Sequence, residues 1–477
     1  MTQATALTSF STKPTKQDPY SYQVGFGNSF ASEALPDTLP RDQNSPQRCK
    51  YGLYAEQLNG SPFVTPRAQC LHSWMYRIRP SVAHQGFTKL PDNPDLESTF
   101  LLLNPKVHAS PTQLAWYPFD IPKDTISVDF VDGLKTLAGN GDPTFREGLA
   151  IHMYLANTSM KNKAFCNNDG DFLILPQLGR LDIQTEFGKL MARPGELVVI
   201  QRGLKFKIML PDGPSRGYIQ EIFGSHYVLP DLGPLGANGL ANARDFEYPL
   251  AHFDVDQSPW NSMYILLCGK LFNCSQDHTP FDVVAWHGNY APYKYAMEKF
   301  VSVGSISKDH IDPSIFCVLT APSKTPNAPL ADFLIFSPRW DVANGTFRPP
   351  YYHRNAATEF MGLIYGVYGG RSDSFQPGGA SYETGFCPHG VSYDEFEKAT
   401  ESDLAPMRVH EGTIAFMFET SMMLTITDYA MHHSGKLHEH EPKMWDDLKA
   451  QFMEHLDEVK AELAAADLSK PASGTRF

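Results

Sequence analysis

The stretch DFLILPQLGRLDIQTEFGKLMARPGELVVIQRGLKFKIML, residues 171–210, decides the fold class of this chain. Residues 181–184 alternate apolar and polar side chains with the period of two that is typical of a half-buried strand. Residues 197–200 form a short apolar run, which indicates a fully buried strand. Turns at 193–196 and 201–203 contain Pro-Gly and Arg-Gly. The stretch therefore predicts short strands in the rhythm of a β-sandwich.

Similar apolar runs recur in the second half of the chain. Short strands are predicted near residues 263–267, 281–286, 314–319, 331–336, 360–365 and 412–418. Strands this short, separated by Pro-Gly and Arg-Gly turns, favour jelly rolls of the cupin kind. We expect a mostly β fold with two β-sandwich or jelly-roll, cupin-like regions and a few short helices. No histidine lies in 171–210, so a metal site is expected elsewhere.

Composition shifts predict four segments. Residues 1–19 are polar and form a flexible arm, 20–285 an N-terminal β-sandwich domain, 286–440 a C-terminal cupin-like catalytic domain, and 441–477 a helix and tail. In the last segment, apolar residues recur at three- and four-residue steps, which is typical of an amphipathic helix; they are Trp445, Leu448, Phe452, Leu456, Val459 and Leu463. We interpret this helix as packed on its own domain, with a role between subunits as the alternative.

Charge and cysteine usage narrow the functional class. A net charge of −13 over 477 residues argues against a nucleic acid or an anionic membrane as partner, because such binding is dominated by Lys and Arg. The seven cysteines are odd in number and contain no Cys-x-x-Cys pair, which favours a reduced, cytoplasmic protein. Neither a secretory signal nor a long apolar run is visible. A small molecule is the expected partner.

The first candidate site lies in PPYYHRNAATEFMG, residues 349–362. His353 precedes Glu359 by six positions, and on a strand residues an even number apart share a face. The composition alone gives about two His-to-acid pairs of this spacing by chance, so the spacing is weak evidence. Packing under the neighbouring aromatic residues would explain His353 equally well.

His389 is the third candidate ligand, because a Pro-Gly-Gly turn at 377–379 could return the chain towards Glu359. Two histidines and one carboxylate form the facial set that holds Fe(II) and leaves positions open for substrate and dioxygen. The alternative is that His389 is an ordinary turn residue. On spacing alone both interpretations stay open.

His287 and a group of histidines near the C-terminus are further candidates for a functional role. His287 lies between a tryptophan and a Gly-Asn turn, where a lone histidine is usually packing; facing the metal, it would suit proton transfer. A second group lies near the C-terminus: His432, His433, His438 and His440. We interpret this group as a solvated segment and not as a metal site.

Several long segments together resemble one known family. They are GFGNSFASEALP (25–36), YGLYAEQLNG (51–60), LPDLGPLGANGLANARDF (229–246), DHTPFDVVAWHGNYAPYKY (277–295), FRPPYYHRN (347–355) and EFMGLI (359–364). In this order, from about residue 20 to about 445, they resemble the homogentisate 1,2-dioxygenase family.

The resemblance implies a function and roles for residues. It implies Fe(II) held by His353, Glu359 and His389, His287 as the acid/base histidine, and Tyr368 and His389 as substrate contacts. The expected reaction converts homogentisate and dioxygen to maleylacetoacetate in tyrosine and phenylalanine breakdown. A homotrimer or homohexamer without nucleic-acid or membrane partners is expected.

The chain departs from the family pattern at two places. Ala357 and Thr358 replace Met and Ser before the glutamate ligand, and Glu383 stands where a pocket histidine is expected. A carboxylate in the pocket would repel a substrate carboxylate, which favours a paralogue that cleaves hydroquinone or another para-diphenol. If Glu383 faces solvent or is protonated, homogentisate stays the expected substrate. A catalytically silent cupin-like binding protein is the alternative from another class.

Overall fold

The structure, a computed structural model, describes residues 18–232, 239–303, 313–342, 345–368, 375–438 and 445–466. Within these ranges the chain is mostly strand, and the strands in chain order are β1 (Tyr22–Val24), β2 (Phe30–Glu33), β3 (Tyr54–Asn59), β4 (His72–Arg77), β5 (Phe87–Lys89), β6 (Val107–His108), β7 (Leu114–Trp116), β8 (Leu134–Asp142), β9 (Glu147–Ala156), β10 (Lys163–Asn167), β11 (Asp171–Leu178), β12 (Leu181–Thr185), β13 (Gly188–Ala192), β14 (Glu196–Ile200), β15 (Lys205–Met209), β16 (Ser215–Ile222), β17 (Phe246–Pro249), β18 (Trp260–Leu267), β19 (Lys270–Gln276), β20 (Val283–Gly288), β21 (Tyr293–Ala296), β22 (Cys317–Pro322), β23 (Pro329–Phe336), β24 (Arg339–Asp341), β25 (Thr358–Tyr365), β26 (Ala380–Glu383), β27 (Met407–Val409), β28 (Ile414–Thr420) and β29 (Thr425–Thr427).

Helices are short in the described ranges. The α-helices are α1 (Tyr393–Glu401) and α2 (Leu456–Ala465), and one π-helical turn spans Tyr429–His433. The 3₁₀ turns are Lys50–Gly52, Arg67–Gln69, Pro143–Phe145, Ala243–Asp245, Met297–Lys299, Pro313–Phe316 and Gln451–His455. No helix among the described residues combines the length and the hydropathy that a membrane crossing needs.

The strands assemble into four main sheets. A ten-stranded sheet has the order β1-β17-β21-β14-β11-β16-β9-β8-β29-β6, and a seven-stranded sheet the order β13-β12-β15-β10-β18-β19-β5. A four-stranded sheet has the order β2-β20-β4-β3, and a six-stranded sheet the order β22-β23-β28-β25-β26-β7. A two-stranded ribbon joins β24 to β27. The prediction of a mostly β, sandwich-like fold is confirmed.

The stretch 171–210 forms five strands, β11 to β15, as its alternation predicts. Every residue of β14 is buried, and β11 is buried except for its last residue. Both strands are continuous apolar runs because they lie inside the ten-stranded sheet and are covered on both faces. Their side chains belong to one large core cluster that also includes β25 and β28 residues.

The two halves of the chain exchange strands. β7, from the first half, forms the edge of the six-stranded sheet by pairing with β26. β29, from the second half, pairs with both β8 and β6 in the ten-stranded sheet. The predicted domain boundary near residue 285 stays a prediction.

The C-terminal helix is present, but its start and its burial differ from those of the predicted apolar stripe. The α-helix begins only at Leu456, because residues 451–455 form a 3₁₀ turn whose three-residue period breaks the predicted apolar stripe. No residue of α2 is buried, and Phe452 and Leu463 are 62% and 55% exposed. The helix is therefore not packed into the core of its own chain. Residues 441–444 lie outside the described ranges.

Candidate metal centre

The three candidate ligands meet at one end of the six-stranded sheet. Glu359 is the second residue of β25, between β28 and β26, and is buried. His353 and His389 lie in segments outside the strands. Their backbones pair as an isolated antiparallel bridge, in which each N–H donates to the carbonyl of the other residue at 3.0 and 3.1 Å. The bridge therefore holds the two imidazoles side by side.

The side chains of the bridge converge on the carboxylate. Nε2 of His353 lies 3.6 Å from Oε1 of Glu359, and Nε2 of His389 lies 3.4 Å from Oε2. One potential ligand atom from each of the three residues lies within 4.8 Å of the other two. Among the described residues, two clusters have this property, and this is the more buried one. Two nitrogens and one oxygen thus surround a common point.

Hydrogen bonds to the backbone orient both imidazoles. Nδ1 of His353 donates to the carbonyl of Tyr351 at 2.8 Å, and Nδ1 of His389 donates to the carbonyl of Cys387 at 2.9 Å. Since a carbonyl only accepts, each Nδ1 must carry the hydrogen in the neutral ring, which leaves the Nε2 lone pair free for a metal. Asn355 donates from Nδ2 to Oε1 of Glu359 at 3.2 Å and steadies the carboxylate.

The electrostatics favour an ionised carboxylate. Burial alone would raise the pKa of Glu359, but hydrogen bonds from His353 and His389 hold that pKa well below its ordinary value. The hydrogen bond to Glu359 raises the pKa of His353. Burial lowers the pKa of His389, yet the pull of Glu359 leaves it raised overall. Without a metal, these groups therefore behave as a buried ion-pair network.

The strand argument for His353 and Glu359 is wrong, although the two residues do meet. β25 begins only at Thr358, and residues 356–357 form a bend between the two side chains. The backbone bridge to His389 brings His353 to the site, not the two-residue period of a strand. Pairing between distant segments leaves no local pattern, so spacing could not have identified this cause.

A row of carboxylates crosses the sheet at the level of Glu359. Glu419 in β28 and Glu383 in β26 are the direct cross-strand neighbours of Glu359, and Asp332 in β23 is the neighbour of Glu419. Directly opposed residues project from the same face, so these groups are close. Burial, with the nearby charge of Glu359, raises the pKa of Glu419 to about 7, and burial raises that of Asp332 to about 6. Sequence patterns did not identify Glu419 and Asp332.

Glu383 lies beside the centre and is only 1% exposed, so the possibility that it faces solvent is wrong. Its Oε1 accepts a hydrogen bond from Nε2 of Gln113 at 2.6 Å. The negative charge of Glu383 contributes to the raised pKa of His389. The carboxylate expected from the sequence to alter the pocket therefore lies next to Glu359 across the sheet and acts electrostatically on His389.

His287 lies elsewhere in the chain, on β20 of the four-stranded sheet. Its Nε2 is 3.2 Å from the hydroxyl of Tyr76, and that hydroxyl donates its one hydrogen to the carbonyl of Asn44. Nε2 of His287 must therefore be the N–H donor, and Nδ1 the proton acceptor. Burial lowers the pKa of His287, which keeps the ring neutral near pH 7. Among the described residues, the contacts of His287 do not include the three ligands.

Tyr368 lies beyond the opposite end of β25 from Glu359. The six steps from Glu359 to Tyr365 alone span about 20 Å of extended strand. Tyr368 stacks on His410, with ring centroids 4.8 Å apart, and contacts Phe336 and Phe375 edge to face. Within one chain the structure does not bring Tyr368 to the ligands.

The chemistry of the donor set fits a divalent metal with open coordination positions. A closed structural zinc site would use four protein ligands, whereas two imidazoles and one carboxylate leave coordination positions open. The backbone-held Nδ1 hydrogens and the ionised Glu359 suit a divalent cation. The three residues fit Fe(II) bound on one face.

Family models match almost the whole chain. The model described as homogentisate 1,2-dioxygenase N-terminal matches residues 21–297, and the one described as homogentisate 1,2-dioxygenase C-terminal matches residues 298–452.

Curated relatives of similar length carry the name homogentisate 1,2-dioxygenase. The rice protein (Oryza sativa subsp. japonica) is 51% identical over 436 residues, covering 91% of this chain and 92% of that protein. The human protein is 51% identical over 435 residues, covering 90% and 96%, and the Emericella nidulans protein is 48% identical over 450 residues, covering 94% and 98%.

Solved structures resemble the chain only weakly. A cupin 2 conserved barrel domain protein from Leptotrichia buccalis is 11% identical with a TM-score of 0.23, covering 57% of this chain and 83% of that protein.

Proposed function

Since the chain belongs to the homogentisate 1,2-dioxygenase family, we propose that it cleaves the ring of homogentisate with dioxygen, at a ferrous centre held by His353, Glu359 and His389. Membership of this family identifies the chain as a dioxygenase. The identity of the metal, its ligands and the roles of His287 and Tyr368 are our proposal. The observation that carries it is the convergence of two Nε2 atoms on the Glu359 carboxylate.

Hydrogen bonds already hold the three proposed ligands in the orientation that metal binding needs. The carbonyls of Tyr351 and Cys387 hold the Nδ1 hydrogens, so that His353 and His389 present Nε2 without reorientation. Asn355 restrains the rotation of the Glu359 carboxylate. Fe(II), when bound, would supply open positions for the substrate phenolate and dioxygen.

The reaction balances without another co-reactant. The ring bond between the hydroxyl-bearing carbon and the carbon that carries the acetate arm breaks, and both oxygen atoms of dioxygen enter the product, maleylacetoacetate. His287 would take the phenol proton at Nδ1, since its Nε2 hydrogen is held by Tyr76, and would return it later. Its lowered pKa keeps this nitrogen free to accept.

We propose that His287 and Tyr368 act at a contact between copies of the chain. The hydrogen bond and ring contact of His287 are with Tyr76, and Tyr368 lies beyond the end of β25, whose stretch from Glu359 to Tyr365 spans about 20 Å. We propose a homotrimer or homohexamer in which Tyr368 of one copy approaches the substrate in another. Sedimentation of the purified protein tests this, because a monomer with full activity would contradict it.

Glu383 supports a second candidate substrate. A buried carboxylate beside Glu359 disfavours the carboxylate of homogentisate through repulsion of like charges in a partly desolvated site. A less charged para-diphenol such as hydroquinone would not meet this repulsion. Homogentisate remains the main proposal, because the close relatives carry that name.

Oxygen uptake by anaerobically iron-loaded protein separates the candidates. We expect turnover of homogentisate and little turnover of hydroquinone or gentisate, and no turnover by H353A protein that remains folded by circular dichroism. The matched control is H84A, a histidine outside both His clusters. Turnover of hydroquinone alone would favour the paralogue, and iron-loaded protein inactive with every diphenol would favour a binding protein.

Replacement of Glu383 by glutamine isolates the charge effect. If Glu383 repels the acetate arm, E383Q lowers the KM for homogentisate and leaves that for hydroquinone unchanged. An equal change for both substrates would place the role of Glu383 in packing.

All seven cysteines are free, which supports our proposal of a reducing cytoplasmic location.

A further inference from the structure

A second cluster of metal-binding side chains lies on the ten-stranded sheet. It consists of His108, Asp428 and His432, and one potential ligand atom of each lies within 4.8 Å of the other two. His108 ends β6, and Asp428 immediately precedes the π-helical turn that contains His432. The triad at Glu359 belongs to the six-stranded sheet, so the two clusters stand on different sheets.

The backbone around the cluster is well anchored. His108 pairs with Ile426 across β6 and β29, and the N–H of Asp428 donates to the carbonyl of Lys106 at 2.8 Å. Residues four apart on a helical turn share a face, which directs Asp428 and His432 to the same side. The geometry thus combines residues that are more than 300 positions apart with a local helical pair.

The side chains of the cluster are already in contact with one another in the absence of a metal. Nε2 of His108 lies 2.5 Å from Oδ1 of Asp428, and the rings of His108 and His432 meet edge to face with centroids 5.4 Å apart. The nearby cation Lys106 is paired with Glu97, which offsets its repulsion of a metal.

We propose that His108, Asp428 and His432 form a second metal site, one that binds Zn²⁺ or an ion of the same class. Two imidazoles and one carboxylate are the ligand set of open zinc sites, in which water completes the coordination. His108 and Asp428 are 37% and 33% exposed at their side chains, so an ion can enter from solvent without opening the core. A bound ion links the edge strand β6 to the segment that follows β29.

The experiment is a Zn²⁺ titration of tag-free, full-length apoprotein that carries the E359Q replacement, which disables the triad. We expect one remaining equivalent of Zn²⁺ per chain, measured by metal analysis after gel filtration. The equivalent is lost in E359Q/H432A protein and retained in E359Q/H433A protein. His433 is the matched control, because it is the neighbouring exposed histidine of the same turn and is not part of the cluster.

Two results would overturn the proposal. One is the absence of any bound Zn²⁺ in E359Q protein, and the other is an equivalent that survives both H108A and H432A. Cobalt absorption gives an independent readout, because Co²⁺ at this site acquires visible bands that disappear in the H432A protein. Zn²⁺ also raises the Tm of E359Q protein and leaves that of E359Q/H432A protein unchanged, since only a ligand of the native state stabilises it. These readouts do not require dioxygenase activity.

Discussion

At the scale of single residues, Glu359 is the group on which the proposed metal centre depends. It is buried, its carboxylate oxygens lie 3.6 and 3.4 Å from Nε2 of His353 and His389, it accepts a hydrogen bond from Asn355, and its pKa is held low by these partners. Glu359 is therefore ionised, and its negative charge would attract a divalent cation. Its cross-strand neighbour Glu419 lies in a comparable setting but has a pKa raised to about 7.

The contrast predicts the effects of two isosteric replacements. E359Q removes a charged ligand, and we expect its iron content after dialysis to fall by about tenfold or more. E419Q is the matched control and retains iron, because Gln resembles the protonated acid. Metal analysis of both proteins gives the comparison, and an E359Q protein with the iron content of the wild type would remove Glu359 from the ligand set.

Asp332 predicts a pH-dependent change in stability. Burial raises its pKa to about 6, against an opposing hydrogen bond from Thr320. The unfolded chain ionises this group near its ordinary pKa, about 4. Between these values the native state holds the extra proton, so its contribution to stability is present at low pH and is lost as the pH rises.

We therefore expect D332N to increase the free energy of unfolding at pH 8 by about 1–3 kcal/mol, with about half of the gain at pH 5. Urea unfolding at the two pH values measures it. D403N, at an exposed acid, serves as control and shows no such difference. A gain of equal size at both pH values would mean that the charge of Asp332 is not its cause.

At the scale of elements, β25 positions Glu359 through close packing on β28. Gly362 faces Phe416 across the two strands, and a Cβ at Gly362 would meet the Phe416 ring at 2.4 Å. Both Phe416 and Tyr218, whose ring lies 3.1 Å from that position, are fully buried. A side chain at 362 would therefore displace the strand that carries Glu359.

This packing predicts that G362A lowers the free energy of unfolding by about 1–3 kcal/mol. Urea unfolding measures the loss. The control is the double variant G362A/F416L, in which the smaller side chain relieves the clash, so that the double variant loses less than the sum of the two single losses. Additive losses would show that the Phe416 contact is not the cause.

At the scale of the whole molecule, the exchange of β7 and β29 couples the two halves. The ten-stranded and six-stranded sheets each contain a strand from the other half, so neither of these two sheets can separate without losing backbone hydrogen bonds. Both halves also contribute to one core cluster. We expect the halves to unfold together even though the chain is long enough for separate domains.

Two buried tryptophans allow a test of whether the two halves unfold together. Trp116 lies on β7 in the six-stranded sheet, and Trp286 lies on β20 in the four-stranded sheet. The fluorescence of W116F and W286F proteins, each lacking one of them, should follow the same urea midpoint as far-UV circular dichroism. Distinct midpoints for the two variants, with unchanged overall stability by circular dichroism, would show that the halves unfold independently.

The chemical identity of the site could be predicted from the sequence more completely than its geometry. Ligand type, spacing and family resemblance predict His353, Glu359 and His389, and the structure brings them together. The cause of their meeting, the bridge between His353 and His389, was missed. Spacing cannot reveal such a bridge, because its hydrogen bonds join segments 36 positions apart.

The sequence by itself determined the strand-rich fold, since a period of two reports the local backbone conformation of each segment. Only the tertiary structure decided which strands lie side by side, and so placed Glu383 and Glu419 on either side of Glu359. It also placed His108 against the Asp428–His432 pair, which the sequence alone suggested was a solvated segment. The reason is physical: strand order and register depend on hydrogen bonds and packing between distant segments, and periodicity within one segment contains no information about its partner.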